Sequence, residues 1–286
     1  MLVIEARSAG FCYGVRRAVE LAEASVTAGE RPAMLGPVIH NGQVIADLCR
    51  RGARLIARAE DAQPGETVVI RAHGEAEATY RTLAERGCRV LDGTCPHVRR
   101  IQSIARQARD EGRQMVLIGD PEHPEIRGIC GWGESVLVFP DPDSLKKWLK
   151  KQDAPCPLPM SVAAQTTQTR EIWEESVNFL KKQCTNVKIF DTICCATHNR
   201  QSEAVEIASA VDGMVVVGDR QSANTRHLYD LCKELCPQTF LVERAEDLPM
   251  DKLSGCRVVG LTAGASAPAG IIKEVNKTMS EEKILN

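Results

Sequence analysis

The stretch RVLDGTCPHVRRIQSIARQARDE, residues 89–111, sets the fold class. Arg89–Asp92 is a short run of the kind that buried parallel strands show, and Val98–Glu111 repeats its apolar residues at helical spacing. Between them lies GTCPH, a short polar loop. The same strand, loop and helix pattern recurs in both directions along the chain. Further candidate strands are Leu2–Glu5, Ala53–Ala57, Thr67–Arg71, Gln114–Ile118, Val136–Phe139, Met214–Val217, Thr239–Val242 and Arg257–Leu261. Further candidate helices are Val15–Ala28, Gly42–Arg51, Ala76–Arg86, Arg170–Lys182, Arg200–Ala210, Thr225–Glu234 and Pro268–Thr278. Repeated β-then-α alternation implies an α/β protein with mostly parallel sheets. Lys150–Pro159 (KKQDAPCPLP) is rich in proline and charge and reads as an exposed connection.

Nine junctions carry loops of similar character: AGFCYG, VIHNG, RAHGE, GTCPH, GDPEHPEIRG, AQTTQT, ICCATHNRQ, GDRQSANT and TAGASAP. In open α/β sheets ligands bind outside the carboxyl ends of strands, where such loops fall. Helix N-termini there present unpaired N–H groups and partial positive charge, a ready anion site. Simple N-capping accounts for Ser222, Thr225 or Ser266 taken singly. It does not account for three cysteines, three histidines and a glutamate in the same kind of loop.

Composition narrows the class. A chain of 286 residues suits about two domains or one multi-lobed unit. With 43% hydrophobic and 26% charged residues it reads as a soluble globular protein. A formal net charge of −2 argues against nucleic-acid binding, which needs a basic face. No apolar run reaches the roughly 20 residues of a membrane helix, and the N-terminus shows no secretory leader, so a cytoplasmic protein is expected. In a reducing cytosol the twelve cysteines point to metal binding or catalysis for at least some of them. Cys49, Cys88, Cys130, Cys156, Cys184 and Cys256 read as small buried hydrophobes, and Cys232 with Cys236 as helix core packing.

Cys12, Cys95 and Cys194 differ because all three sit in junction loops, at separations unlike a zinc finger or a ferredoxin run. Three similar lobes could each supply one thiolate to a shared centre. A cubane cluster normally takes four thiolates, so three would leave one iron open to polarise a hydroxyl. Spacing alone leaves this open. His40, His73 and His123, with Glu125 two residues past His123, suit anion binding and proton delivery. His97, His198 and His227 read as structural, and Gln165-Thr166-Thr167 offers hydroxyl donors at a helix start. Lysines and glycines of a nucleotide-binding loop are missing, which implies a small anionic ligand held by neutral donors and helix ends.

Taken in order, SAGFCYGVRRAV, GPVIHN, RAHG, DGTCPHV, GDPEHPEIRG, AQTT, TICCATHNRQ, GDRQSANTRHL and TAGASAP resemble the LytB family of 4-hydroxy-3-methylbut-2-enyl diphosphate reductases, from residue 1 to about 270. The resemblance implies three similar α/β lobes around a central cluster, with lobes at residues 13–95, 96–193 and 194–286, the last joined by residues 1–12. It implies one 4Fe–4S cluster ligated by Cys12, Cys95 and Cys194 with one open iron, and no ligand role for Cys195. His40, His73, Ser222, Asn224 and Ser266 would bind the diphosphate, with His123 near it. Glu125 would relay protons to the substrate hydroxyl, and Thr166 would order that network. The implied reaction removes the hydroxyl as water with two electrons, giving isopentenyl and dimethylallyl diphosphate, and ferredoxin or flavodoxin supplies the electrons.

One position departs from the family's pattern. Many members read Ser-Ser-Asn where this chain has Ser222-Ala223-Asn224. A hydrogen bond to a charged group is worth roughly 1.5–3 kcal/mol, so substrate binding is expected to weaken by one to two orders of magnitude unless a backbone N–H or water compensates. Three other readings compete. A related iron–sulfur enzyme on another small phosphorylated or hydroxylated substrate fits Ala223. A dinucleotide-dependent dehydrogenase needs G-x-G-x-x-G after a first strand, and TAGASAPAG lies at the wrong end. A thiol redox sensor would use Cys194 and Cys195.

Overall fold

The computed structural model describes residues 1–152 and 156–281. Of the connection expected at 150–159, residues 153–155 lie outside the described residues. In chain order come β1 (Leu2–Glu5), α1 (Tyr13–Thr27), β2 (Ala33–Leu35), α2 (Gly42–Arg50), β3 (Arg54–Ile56), β4 (Thr67–Ile70), α3 (Glu77–Glu85) and β5 (Arg89–Asp92). Then follow α4 (Pro96–Asp110), β6 (Gln114–Ile118), α5 (Pro124–Cys130), β7 (Leu137–Phe139), α6 (Pro142–Leu149), β8 (Met160–Ala164), α7 (Arg170–Gln183) and β9 (Val187–Phe190). The chain continues through α8 (Cys195–Ala208), β10 (Gly213–Val217), α9 (Ala223–Leu235), β11 (Thr239–Val242), α10 (Met250–Leu253), β12 (Val258–Ala263) and α11 (Ala269–Glu281).

Three four-stranded sheets result, ordered β3-β2-β4-β5, β7-β6-β8-β9 and β11-β10-β12-β1, and every strand pair is parallel. The expected α/β fold with three similar parallel lobes is therefore what forms. The three orders are one order: second strand, first, third, fourth. In the third lobe the fourth strand is β1, paired Leu2 to Val258 through Glu5 to Leu261 although it opens the chain. Central strands such as β10 (GMVVV) are buried along their whole length, as parallel strands covered on both faces must be.

Close contacts divide the chain into two compact units. One comprises residues 1–16, 40–44 and 195–286 and holds the third sheet; the other comprises residues 17–39 and 45–194 and holds the first two. In the second unit α4 turns Val98, Ile101, Ile104, Ala105 and Ala108 onto Met115 and Leu117 of β6 and Ile126 and Ile129 of α5. Their i, i+3, i+4 spacing makes that apolar stripe, and each fully buried Ile or Leu contributes about 1.5–3 kcal/mol. In the other unit Val259 and Leu261 of β12 pack with Ile271, Ile272 and Val275 of α11.

The repeat also leaves a trace in sequence. Arg58-Ala59-Glu60-Asp61 and Arg244-Ala245-Glu246-Asp247 are the same tetrapeptide, each a 3₁₀ turn behind the second strand of its lobe. Asp61 and Asp247 accept from the backbone N–H of Arg58 and Arg244 at 3.0 and 3.2 Å. No helix among the described residues is long and apolar enough to cross a membrane.

Candidate functional site

Three junctions recur in every lobe, and they carry the candidate residues at matching points. Behind the fourth strands β5, β9 and β1 stand Cys95, Cys194 and Cys12, each directly ahead of a helix: α4, α8 and α1. Behind the first strands β2, β6 and β10 stand His40, His123 and Ser222, ahead of α2, α5 and α9. Behind the third strands β4, β8 and β12 stand His73, Thr166 and Ser266, ahead of α3, α7 and α11.

Within the unit of residues 17–39 and 45–194 the candidates form one continuous chain of contacts. Cys95 N–H donates to the Ala72 carbonyl at 3.0 Å, beside His73. The His73 ring meets His123 edge-on, with centroids 5.3 Å apart. His123 caps α5, its Nδ1 accepting from Glu125 N–H at 3.1 Å, so its ring proton is assigned to Nε2. Glu125 accepts from Thr166 twice, from N–H on Oε1 and from the hydroxyl on Oε2, both at 2.7 Å. The Thr166 carbonyl in turn accepts from Cys194 N–H at 3.0 Å. Glu125 is only 2% exposed, and burial pushes its carboxyl above the usual range against the opposing pull of the Thr166 bonds.

The His73 loop is braced from behind. Arg71 pairs with Glu75 at 2.6 Å, and the Glu75 carbonyl accepts from Trp132 Nε1 and Gln102 Nε2. Gly74 adopts φ +70, and a Cβ there would come 2.6 Å from Gln102 Nε2, so the close approach needs glycine. Tyr80 donates to or accepts from the Thr94 hydroxyl at 3.0 Å, and burial raises its phenol to about 12.

Within the other unit Cys12 N–H donates to the Ala265 carbonyl at 3.3 Å, beside Ser266. Ser222 caps α9, accepting from Thr225 N–H at 3.4 Å. A Cβ at Gly264 would overlap the Thr225 hydroxyl, so α9's first turn and the Ser266 loop can pack only because Gly264 has no side chain. Asn224 and Ser266 are 3% and 5% exposed, and among the described residues neither the Asn224 amide nor the Ser266 hydroxyl has a hydrogen-bond partner. Buried polar groups are normally satisfied, so these three atoms call for a polar ligand. Asn41 caps α2 through Val44 N–H at 3.1 Å and so fixes the turn after His40.

Several local expectations need correction. Glu125 is not in a loop but in the first turn of α5, a seven-residue helix that begins within GDPEHPEIRG and ends two residues beyond it. Cys195 is likewise helical, opening α8, and it is exposed whereas Cys194 is half-buried. Cys49 is exposed and Cys88, Cys130 and Cys184 only half-buried, so core packing holds fully for Cys156, Cys232, Cys236 and Cys256. Sequence reasoning named Gln165 only as part of a donor run, whereas its Oε1 accepts from Asp120 N–H at 2.9 Å, and it missed Arg200 and Glu203. All three lay inside quoted or helical segments but carried no distinguishing pattern.

Residues 3–280 match the LytB protein family. The chain belongs to that family. The 4-hydroxy-3-methylbut-2-enyl diphosphate reductase of Nitratidesulfovibrio vulgaris (strain DSM 19637 / Miyazaki F) is 41% identical over 280 residues, covering 97% of this chain and 98% of the relative. A solved structure of (E)-4-hydroxy-3-methyl-but-2-enyl diphosphate reductase, the terminal enzyme of the non-mevalonate pathway, is 36% identical, with a TM-score of 0.70 over 98% of this chain and 100% of the other. The Plasmodium falciparum E-1-hydroxy-2-methyl-but-2-enyl-4-diphosphate reductase shares the fold at a TM-score of 0.89 and 23% identity, over 96% of this chain and 87% of the other.

LytB proteins are iron–sulfur enzymes, and the donor set here fits such a group. Three thiols at equivalent helix starts are soft ligands placed where a helix favours negative charge. Ala223, the LytB departure, is 4% exposed in α9's first turn, where backbone N–H groups without helical partners remain as donors. Membership of the LytB family sets aside the dehydrogenase and thiol-sensor readings.

Proposed function

We propose that this chain reduces 4-hydroxy-3-methylbut-2-enyl diphosphate to isopentenyl and dimethylallyl diphosphate at a 4Fe–4S cluster ligated by Cys12, Cys95 and Cys194. The activity is that of a LytB-family oxidoreductase of isoprenoid biosynthesis, by the non-mevalonate (methylerythritol phosphate) route. The observation that carries the ligand set is the shared position of the three cysteines, one behind the fourth strand of each lobe. The functional lobes on this reading are residues 13–95, 96–193, and 194–286 with 1–12.

When bound, the cluster supplies two electrons and a Lewis-acidic iron not held by cysteine. Ser222, Asn224 and Ser266 donate to the diphosphate, which answers the unpartnered Asn224 amide and Ser266 hydroxyl. His40 and His73 add ring donors, and His123 presents Nε2–H from the cap of α5. Glu125 delivers the proton that leaves with the hydroxyl as water. Its pKa, raised by burial, suits that task, because a carboxyl that holds its proton more firmly than an exposed one can act as an acid. Thr166 fixes both carboxyl oxygens and so aims the acid. Electrons come from ferredoxin or flavodoxin, and the enzyme works in the cytoplasm.

Anaerobic reconstitution with iron and sulfide, followed by turnover of the hydroxylated diphosphate, tests the reading. Broad absorption near about 400 nm is expected from an iron–sulfur cluster. A reconstituted protein that turns over the substrate with all three cysteines replaced by serine would sink it.

A further inference from the structure

The three cysteines are not held equally by their strands. Cys95 follows the end of β5 (Asp92) by three residues and Cys194 follows the end of β9 (Phe190) by four, but Cys12 follows the end of β1 (Glu5) by seven. β1 is an edge strand as β5 and β9 are, so what sets Cys12 apart is the longer stretch that follows its strand, of which Ala6 is buried and Ala9 packs on the apolar core. Helix α8 adds polar restraint to that stretch. Glu203 accepts from Arg7 N–H at 2.8 Å, from Ser8 N–H at 2.9 Å and from the Ser8 hydroxyl. Three residues earlier on the same face, Arg200 donates from Nη2 to the Gly10 carbonyl at 2.9 Å and from Nη1 to the Ala263 carbonyl at 2.6 Å.

We propose that Arg200 is the positioning residue for Cys12 and for the Ser266 loop. Gly10 lies two residues before Cys12, and Ala263 is the last residue of β12, three before Ser266. One guanidinium therefore ties a cluster-ligand loop to a phosphate-binding loop, and Cys12 N–H to Ala265 carbonyl closes the same circuit. The planar fork matters, since two nitrogens at a fixed separation bridge two carbonyls where an ammonium meets them singly. At 3% exposure a residue that merely filled space would be apolar, because burying a charge is costly unless its donors are used. Gly10 adopts φ +100, a conformation that a side chain would resist, and a Cβ there would come 3.3 Å from Ile272 Cδ1.

The role of Arg200 in setting the thiol loop stands on geometry; its consequence for the cluster rests on the ligand assignment proposed above. The test therefore begins with apo-protein. Cys12 and Cys95 of the wild type, Arg200→Met and Arg200→Lys are alkylated with iodoacetamide, and the rate at each site is read by mass spectrometry. In Arg200→Met, Cys12 is expected to react about tenfold faster, the factor given by about 1.4 kcal/mol of lost restraint, with Cys95 unchanged. Arg200→Lys should fall between. After anaerobic reconstitution, Arg200→Met should bind less iron and show an altered electron paramagnetic resonance signal, partly restored in Arg200→Lys. Wild-type Cys12 reactivity and an unaltered signal in folded Arg200→Met would overturn the proposal. Should Arg200→Met fail to fold, wild-type Cys12 reactivity in Arg200→Lys overturns the two-carbonyl clamp. If instead Cys12 is exposed as expected but Cys12→Ser retains full iron, the clamp stands and the ligand assignment fails.

Discussion

Replacing Glu125 by glutamine separates proton delivery from architecture, because the site can absorb the amide. In Glu125→Gln the amide oxygen keeps the bond from Thr166 N–H, and the amide nitrogen donates to a threonine hydroxyl that turns to accept. Both hydrogen bonds survive, and the desolvation of a buried carboxylate is removed. Burial lifts the folded pKa above the ordinary 4.5, so the native state keeps a proton over a window in which the unfolded chain has lost it. Stability through this group is thus highest below about 4.5 and falls as pH rises through the folded value, by about 1.4 kcal/mol for each unit of lift. Glutamine does not titrate, so the variant should gain stability relative to wild type as pH rises from that point. Turnover should move the other way. With no acidic proton to give, kcat should fall about 10²–10⁴-fold, or about 2.7–5.4 kcal/mol in the barrier, with KM changed little. Anaerobic steady-state kinetics with reduced viologen, beside thermal unfolding of the apo-protein across the pH range, reads both. Near-normal turnover in a variant with a lowered melting point would mean that Glu125 only braces α5 against Thr166.

Cys12→Ser, Cys95→Ser or Cys194→Ser should each strip or cripple the cluster, since hydroxyl oxygen is a poor substitute for thiolate on iron, while Cys195→Ser keeps it; iron and sulfide analysis decides. Ser266→Ala and Asn224→Ala should raise KM by about one to two orders of magnitude and reduce kcat less, because a phosphate contact exists in ground and transition states alike. Gly264→Ala should weaken substrate binding without touching a polar group, because its methyl would overlap the Thr225 hydroxyl and push α9's first turn from the Ser266 loop. Thermal unfolding of the apo-protein together with KM checks it, and unchanged values for both would refute the packing argument.

Strands with β-branched cores were legible: Thr67–Ile70, Gln114–Ile118 and Gly213–Val217 all formed within a residue of expectation. β8 was not, because its sequence, MSVAA, is small and partly polar although every residue is buried. β2 has only three residues and α5 only seven, too short for a period to declare itself. α8 was read as starting at Arg200, five residues late, since THNRQ looks like loop; its first turn is helical because tertiary packing of Thr197, Arg200 and Gln201 holds it.

Candidate chemistry was easier to read than its support, for a physical reason. A cysteine, histidine or acid at a strand-to-helix junction points outside the carboxyl end of a sheet whatever the details of packing, so residue type and junction together suffice to nominate it. A buried residue on a helix has no such default direction. Arg200 and Glu203 become clamps only because β1 pairs with β12, which places the loop after the first strand of the chain against a helix almost two hundred residues later. That pairing is itself invisible to local pattern, since the fourth strand of the third lobe comes first in sequence. The loop before Cys12 is the longest of the three thiol-bearing loops and is the one anchored by Arg200 and Glu203. In the other two lobes the strand before the cysteine follows its own helix directly, α3 before β5 and α7 before β9, and a short turn of three or four residues sets the thiol. For Cys12 the loop after β1 runs seven residues, and the Arg200 and Glu203 hydrogen bonds do the anchoring that a short turn does in the other two lobes.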